Sequence, residues 1–208
     1  MSSAVPVDVS RLSLPGLPTI YFLRHGETDW NRVGRLQGQT EISINATGRE
    51  QALRNGQLLA EMADEIAGCD FVASPLLRTR QTMEIVLGAL GRPTDAFATD
   101  ERLMEIRFGA WESMTWKELK VSDRAAYDAR YKDPWNVAAP GGESYAELSA
   151  RTRDWLASLT RPTVAVSHGG ISRCLRGLVL GLPPGEVPHL PVPQDRIMLI
   201  DDGAVEWL

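Results

Sequence analysis

Short apolar runs alternate along this chain with longer segments of helical periodicity, and this alternation limits the fold more than any other feature. The runs at residues 19–23, 71–73 and 163–166 are β-prone. Apolar residues at helical spacing follow them, at residues 46–67, 76–90 and 170–180. Because strands that alternate with helices build layered domains, we predict an α/β fold with helices on both faces of a sheet.

Local signals predict where several of these elements begin. Thr47 and Glu50 form a capping-box pattern at the start of the first long helix, and Ser144 and Glu147 form another one later in the chain. Pro75 is expected in the strand-to-helix turn that starts the helix at residues 76–90, because proline suits the start of a helix. The remaining expectations are an extended segment at residues 97–103, a helix ending near residue 159, a proline-rich loop at residues 181–195 and a terminal hairpin of residues 197–200 and 205–208.

The chain length of 208 residues suits one domain better than two. Residues 1–18 have neither the basic region nor the long apolar region of a signal peptide. We expect them to form a partly disordered leader, with residues 19–208 folding as a single domain.

Composition excludes several classes of protein. The net charge of −5 argues against a nucleic-acid-binding protein, because phosphate backbones are bound by clustered Lys and Arg. No apolar stretch approaches the roughly 20 residues of a membrane-spanning helix, so no membrane partner is expected. Cys69 and Cys174 lie among apolar neighbours, which favours reduced thiols in a cytoplasmic protein. The sequence leaves a homodimer open as an alternative to a monomer.

Basic and glycine-rich segments directly follow three of the predicted strands. Arginine forks suit phosphate oxygens, and glycines let backbone N–H groups approach a ligand at the carboxyl ends of strands. Taken singly, each residue has an ordinary structural explanation, such as a hydrogen-bonded histidine or a solvated Arg78. Their coincidence at three strand ends indicates an anion site. The segments are Arg24-His25-Gly26-Glu27-Thr28, Ser74-Pro75-Leu76-Leu77-Arg78 and Ser167-His168-Gly169-Gly170.

Together with further segments in the same order, they resemble the histidine phosphatase superfamily, in its phosphoglycerate-mutase-like branch, and within it the small phosphatases. The resemblance covers residues 19 to about 180 and implies a three-layer α/β/α sandwich with a mostly parallel central sheet. The matching segments are Leu23-Arg24-His25-Gly26-Glu27-Thr28 with Trp30-Asn31, Gln37-Gly38, Asn45-Ala46-Thr47-Gly48, and residues 74–82, 103–112, 140–144 and 166–170.

The resemblance also implies covalent catalysis on a small phosphorylated metabolite. His25 is expected to attack the phosphorus and form a phosphohistidine that water then hydrolyses, while its other ring nitrogen donates to a carbonyl. Arg24, Arg78 and His168 are expected to hold the phosphoryl oxygens, with the Gly169 amide as a further donor. Additional phosphate-site contacts are expected from Thr28, Asn31, Gln37 and Gly38.

Glu105 is expected, from its place in the motif, to give a proton to the leaving group and then to act as base for the attacking water. Glu112 is the competing carboxylate for this role. Without its flanking motif, Glu105 would be explained as an ordinary surface glutamate. No metal is implied, since His189 has no partner at ligand spacing and two arginines can do the electrostatic work of Mg²⁺. No cofactor is expected.

Two interpretations of the aromatic segment at residues 107–139 stay open. It either caps the site and contacts the leaving group, or forms a small satellite core. Tyr127, Tyr131 and Trp135 recur at four-residue spacing, which predicts one helical face, and the charged residues 123–133 are expected to be solvated.

Three functions remain open: a metal-independent phosphomonoesterase, a cofactor-dependent phosphoglycerate mutase, and a non-catalytic phospholigand-binding module. The mutases carry an extra segment after the Glu105 block and a longer tail over the site. A more open pocket admits water and favours hydrolysis, and the presence of His25 and Glu105 disfavours the module. The sequence departs from the family pattern at Glu41, where Asp is common, at Ser113, where Gly is common, and at Asp195, where Asn is common.

Overall fold

The computed structural model describes residues 16–208, so the predicted leader lies mostly outside the described residues. Six strands form one sheet in the order β3-β2-β4-β1-β5-β6. The first four strands run parallel to one another, and the last two form the predicted antiparallel hairpin. The strands are β1 (Ile20–Arg24), β2 (Asp70–Ala73), β3 (Ala98–Thr99), β4 (Thr163–Ser167), β5 (Ile197–Asp201) and β6 (Ala204–Trp207).

Helices connect the strands and supply the outer layers. None of them, within residues 16–208, is long and apolar enough to cross a membrane. They are α1 (Asp29–Arg32), α2 (Ala46–Glu61), α3 (Ala63–Ile66), α4 (Leu77–Ala89), α5 (Trp116–Ser122), α6 (Arg124–Lys132), α7 (Tyr145–Ala157) and α8 (Gly169–Leu180), with short 3₁₀ turns at Glu101–Leu103, Gly109–Trp111 and Val187–His189.

Alternate residues of β1 enter two separate hydrophobic cores. Ile20 and Phe22 pack in one core with side chains of α7 and α8. Tyr21 and Leu23 pack in the other with side chains of α2 and α4. Because successive strand side chains point to opposite faces, the sheet is covered on both sides. This confirms the three-layer α/β/α sandwich with a mostly parallel sheet.

The first long helix differs from the prediction at both ends. Asn45, rather than Thr47, is its N-cap, and the Asn45 side chain accepts from the Gly48 amide at 2.9 Å. The predicted helix at residues 46–67 is interrupted at Met62, whose amide donates to the Leu59 carbonyl three residues back. This three-residue hydrogen bond interrupts the i to i−4 pattern of an α-helix, so two helices form instead of one.

The helix after β2 begins later than Pro75 predicted. Leu76 is still extended, with φ −67° and ψ 142°, and α4 starts at Leu77. The Leu77 amide donates to Oε2 of Glu41 at 2.6 Å. The Leu76 side chain has no oxygen that could cap the helix. A carboxylate from a distant loop therefore takes the capping role.

The segment between α4 and α5 is less extended than predicted. Of residues 97–103, only β3 pairs with the sheet. The side chain of Asp100 accepts from the Arg102 amide at 2.9 Å and so starts the 3₁₀ turn that follows. The capping box of Ser144 and Glu147, in contrast, is confirmed at the start of α7, which ends at Ala157 rather than near residue 159.

The aromatic segment contains a satellite core, as one of its two interpretations held. Its buried members are Leu36, Trp111, Leu119 and Ala139. Its charged stretch is not fully solvated, because Arg130 is 3% exposed and donates to the carbonyls of Val137 and Glu143 at 2.6 and 3.2 Å.

The predicted aromatic face of this segment is shorter than expected. Tyr127 and Tyr131 lie on α6, but the helix ends at Lys132, so Trp135 lies beyond it. Trp135 packs instead against the core on the α7 and α8 side of the sheet. A turn at residues 134–136 follows directly on Asp133, so the helical face does not extend to Trp135.

Candidate active site

The ends of β1 and β4 bring the two predicted site histidines together. Arg24 pairs with Ser167 in the parallel register, so the next residues, His25 and His168, lie side by side. Their ring centroids are 5.3 Å apart, and both side chains are buried. The His25 amide donates to the Ser167 carbonyl at 2.9 Å, which fixes the backbone at this point.

His25 has the protonation pattern of a nucleophile. Its Nδ1 lies 2.8 Å from the carbonyl oxygen of Gly26, and since a carbonyl only accepts, Nδ1 carries the hydrogen. The lone pair is then on Nε2. Burial, together with the positive charges of Arg78 and Arg24, holds the pKa of His25 well below its ordinary value of 6.5. The ring is therefore neutral at physiological pH.

His168 is oriented from the end of β2. Its Nε2 lies 2.8 Å from Oγ of Ser74, and the same oxygen lies 3.4 Å from the Leu76 amide, which donates to it. The Ser74 hydroxyl can therefore give its proton to Nε2, which leaves Nδ1 as the N–H donor. Burial, and then the charge of Arg78, also lowers the pKa of His168 well below 6.5.

Two guanidinium groups lie beside the histidines, that of Arg78 on a fully buried residue and that of Arg24 on a partly buried one. Arg78 donates to the carbonyls of Thr40 and Gly38 at 2.9 and 2.7 Å, and Arg24 donates to the Val192 carbonyl at 3.0 Å. Burial is the main cause that lowers the pKa of each arginine to about 10, so both remain cations at neutral pH. They are held in place by neutral carbonyl oxygens, which leaves their charge available to an anion.

Unpartnered buried donors mark where that anion would sit. Nε of Arg24, Nε of Arg78 and Nδ1 of His168 have no hydrogen-bond partner among residues 16–208. Buried N–H groups are rarely left unpaired in folded proteins. A phosphoryl group, with several acceptor oxygens and two negative charges, fits this set of donors.

Glu105 reaches the same cavity from the 3₁₀ turn after β3. Its Oε1 accepts from the amides of Ile106 and Gly170 at 2.9 and 3.0 Å. The Glu105 carbonyl accepts from Arg151 at 3.1 Å, and Arg151 forms an ion pair with Glu143 at 2.8 Å. Backbone and side chain are thus both fixed, with Oε2 the less occupied oxygen.

Glu112, the competing carboxylate, makes a different set of contacts. Its Oε1 accepts from the amides of Gln39 and Phe108 at 3.1 and 3.2 Å, and its Oε2 accepts from the Thr40 hydroxyl at 2.8 Å. It is not among the residues that line the cavity. Glu112 therefore holds the loop whose Thr40 carbonyl positions Arg78.

The lesser predicted residues divide into two groups. Asn31, Gln37 and Gly38 line the cavity. Thr28 does not, because its hydroxyl caps α1, accepting from the Asn31 amide and donating to the Asn31 side chain, each at 3.1 Å. The structure therefore places the Thr28 side chain against Asn31, a residue of the cavity lining, rather than in the lining itself. The Gly169 amide, at the start of α8, donates to no acceptor among the described residues.

The cavity is much larger than a phosphoryl group. Its volume is about 560 Å³, and it extends from His25, Arg24 and Arg78 past Glu105 to an aromatic end. The aromatic residues that line it are Phe108, Trp116, Tyr127, Tyr131 and Tyr145.

A family model described as the histidine phosphatase superfamily, branch 1, matches residues 20–206.

The chain belongs to the histidine phosphatase superfamily. This confirms the resemblance drawn from its motifs and the expectation of an enzyme of this superfamily. In this histidine phosphatase the segments behind that resemblance meet at one edge of the sheet, around His25.

Relatives of this histidine phosphatase carry two kinds of name. The curated protein "Probable phosphoglycerate mutase GpmB" of Salmonella paratyphi C is 33% identical over 195 residues, covering 91% of this chain and 87% of that protein. The solved alpha-ribazole phosphatase of Shigella flexneri has a TM-score of 0.77 at 25% identity, covering 91% of this chain and 94% of that one. A mycobacterial glucosyl-3-phosphoglycerate phosphatase in complex with VO3 has a TM-score of 0.75 at 28% identity, covering 92% and 96%.

Sequence reasoning missed three contributors to the site of this histidine phosphatase. Ser74 lies in a segment of the predicted anion site but has no predicted role of its own, and the structure shows that it orients His168. Gln194, beside the unusual Asp195, donates to the His25 carbonyl and to the Asn31 side chain, each at 3.3 Å. Val192 supplies a carbonyl to Arg24. A motif break in the proline-rich loop was the one signal that pointed to this region.

Proposed function

We propose that the protein is a metal-independent phosphomonoesterase that hydrolyses a small phosphorylated metabolite through a phosphohistidine on His25. The observation that carries this proposal is the 2.8 Å contact between Nδ1 of His25 and the Gly26 carbonyl. It leaves an unprotonated Nε2 on a buried neutral ring. Beside that ring, the Nε groups of two arginine cations and Nδ1 of His168 have no partner among the described residues.

In the first step, Nε2 of His25 attacks phosphorus in line with the ester oxygen. The N–P bond forms, the P–O ester bond breaks, and the bond's electron pair goes to the leaving oxygen. Glu105 gives that oxygen a proton, so the product leaves as a neutral alcohol. Arg24, Arg78 and His168 hold the three other phosphoryl oxygens, whose negative charge they stabilise in the transition state.

In the second step, water attacks the phosphohistidine. The Glu105 carboxylate takes a proton from the water, a new P–O bond forms, and the N–P electron pair returns to Nε2. Phosphate leaves and Glu105 is again protonated for the next cycle. One carboxyl group therefore acts first as acid and then as base, and the Ile106 and Gly170 amides hold it in one position for both steps.

No step of this scheme is routed through a metal ion, because the positive charge comes from Arg24 and Arg78. Among residues 16–208, no group of three or more His, Cys, Asp or Glu side chains is arranged to hold one. The test is inorganic phosphate release from phosphomonoesters in excess EDTA. Wild type and Val121→Ala, a change at an exposed site outside the cavity, should release phosphate, and His25→Ala should not. Release that persists in His25→Ala would overturn the proposal.

A phosphoglycerate mutase is the second candidate, and the 33% identical curated relative favours it. The same residues serve either reaction, since a mutase returns the phosphoryl group to another hydroxyl instead of water. Two observations support hydrolysis: neighbours at 25% and 28% identity are named phosphatases, and exposed Trp116 and Tyr131 leave one end of the cavity open to water. Isomerisation of phosphoglycerates without net phosphate release would favour the mutase.

A cytoplasmic location is part of this proposal. Cys69 and Cys174 are unpaired and buried, which suits a reducing compartment. Phosphorylated metabolites are abundant there. Recovery of the protein from the cytosolic fraction of its own cells tests this point, and recovery from an extracytoplasmic fraction would contradict it.

A further inference from the structure

Two large rings at the aromatic end of the cavity are exposed. Trp116 is 43% exposed and Tyr131 is 73% exposed, although both line the cavity. By contrast Trp111, which contacts Trp116 from behind, is 1% exposed. Large aromatic side chains left exposed inside a cavity mark a binding surface more often than a packing defect.

The geometry of the rings shows which kind of aromatic partner Trp116 lacks. Trp116 meets Phe108, Trp111 and Tyr127 at interplanar angles of 85°, 82° and 65°, with centroids 6.0 to 6.2 Å apart. No ring among residues 16–208 stacks face to face on Trp116. Tyr131 stacks on Tyr127 at 5.8 Å and 15°, which uses one face and leaves the other open. Aromatic rings favour edge-to-face and offset-stacked partners, and Trp116 has only the first kind among residues 16–208.

Two arginines that line this end are already engaged. Arg35 donates to the Ser113 carbonyl and to Glu118. Arg130 donates to two carbonyls and lies over the Phe108 ring at 5.4 Å from its centroid. Both guanidinium groups therefore already have acceptors, and the exposed rings of Trp116 and Tyr131 offer flat apolar surface beside them.

We propose that this end is a stacking subsite for the leaving group, and that the preferred substrates are phosphomonoesters whose alcohol carries a planar aromatic ring. The inference rests on the proposed phosphatase function. The phosphoryl group sits at His25, and the ring of the leaving alcohol stacks on Trp116 with Tyr131 at the rim. Trp116 and Tyr131 thus act as specificity-determining residues.

Three esters of primary alcohols test this subsite: 1-naphthylmethyl, cyclohexylmethyl and ethyl phosphate. Their leaving groups have similar basicity, so differences in kcat/KM report binding of the alcohol rather than its chemistry. We expect wild type to prefer the naphthylmethyl ester over the ethyl ester by about 30-fold, and over the cyclohexylmethyl ester by about fivefold.

Substitutions locate the preference on the two rings. Trp116→Ala should lower the naphthylmethyl-to-ethyl ratio of kcat/KM by about tenfold, mainly through KM, and Trp116→Phe should restore part of it. Tyr131→Ala, at a 73% exposed position that cannot damage the core, should lower the ratio by about threefold. Val121→Ala, which lies on α5 like Trp116 but outside the cavity, should leave the ratio unchanged.

The outcomes separate this inference from the function beneath it. No phosphate release from any of the three esters would contradict the phosphatase itself. Release of all three with equal kcat/KM would overturn the stacking subsite and leave the phosphatase standing. The stacking subsite would also be overturned if the cyclohexylmethyl and naphthylmethyl esters had equal kcat/KM, or if Trp116→Ala lost the same factor of kcat/KM on all three esters. Glucose 6-phosphate serves as a sugar phosphate for comparison, and a kcat/KM above that of the naphthylmethyl ester would have the same meaning.

Discussion

Glu105 and Gly170 are joined by a hydrogen bond of 3.0 Å, in which the Gly170 amide donates to Oε1 of the carboxylate. Gly170 is the second residue of α8 and follows directly on the His168-Gly169 segment. A Cβ at position 170 would collide with that carboxylate, so the close approach requires glycine. The candidate proton donor is therefore tied to the same helix start that carries the candidate phosphoryl-binding histidine.

Glu105→Gln tests the proton donor. On ethyl phosphate, whose leaving alkoxide needs a proton, we expect kcat/KM to fall by roughly 10² to 10⁴-fold. On p-nitrophenyl phosphate, whose leaving group is stable without a proton, kcat/KM for phosphoenzyme formation should fall less than about tenfold. Equal losses on both esters, measured by nitrophenol and phosphate release, would remove Glu105 from this role.

Glu112→Ala tests the competing carboxylate. Because Glu112 fixes the Gln39 and Thr40 loop, its loss should displace Arg78 and weaken phosphate binding for every substrate. We expect KM to rise by about tenfold on ethyl and p-nitrophenyl phosphate alike, as befits a positioning residue. A loss confined to ethyl phosphate would instead identify Glu112 as the acid.

The buried histidines predict how stability depends on pH. Their folded pKa values lie below the ordinary 6.5, so the unfolded chain binds more protons below that pH, and the free energy of unfolding falls as the pH is lowered through 6.5. Each histidine should account for a loss of about 1 kcal/mol between pH 6.5 and 5.5. Urea unfolding at both pH values should show a smaller loss in His25→Gln and in His168→Gln than in wild type. Equal losses in all three proteins would contradict the predicted shifts.

Ser113 has φ of +71°, a left-handed backbone that favours glycine. Ser113→Gly should therefore raise the free energy of unfolding by about 1 kcal/mol. Ser113→Ala is the matched control, since it removes the hydroxyl but keeps the strained Cβ, and it should give no such gain. A gain in the alanine variant as large as in the glycine variant, by urea denaturation, would show that the hydroxyl rather than the backbone is responsible.

Much of the fold and the centre of the site follow from local sequence. The strand-to-loop segments at His25 and His168 are contiguous motifs, and parallel strands bring their ends to one edge, so the two rings meet as predicted. The same holds for the Ser144 capping box, where all partners lie within four residues.

Contacts between distant loops could not be predicted in this way. Glu41 caps α4 from 36 residues away, and Gln194 contacts the His25 carbonyl across 169 residues. Thr28 shows that a local contact can also escape prediction, since its hydroxyl bonds Asn31 three residues on and caps α1. Which role a hydroxyl takes depends on the neighbours that folding brings to it.

The most direct test of the account is to trap the phosphoenzyme. Enzyme mixed with p-nitrophenyl phosphate is quenched in alkali, which preserves phosphohistidine, and its peptides are analysed by mass spectrometry. We predict one phosphate on the peptide that contains His25, more of it in Glu105→Gln, where dephosphorylation is slow, and none in His25→Ala. Phosphate on another residue, or burst release of nitrophenol by His25→Ala, would contradict the phosphohistidine mechanism.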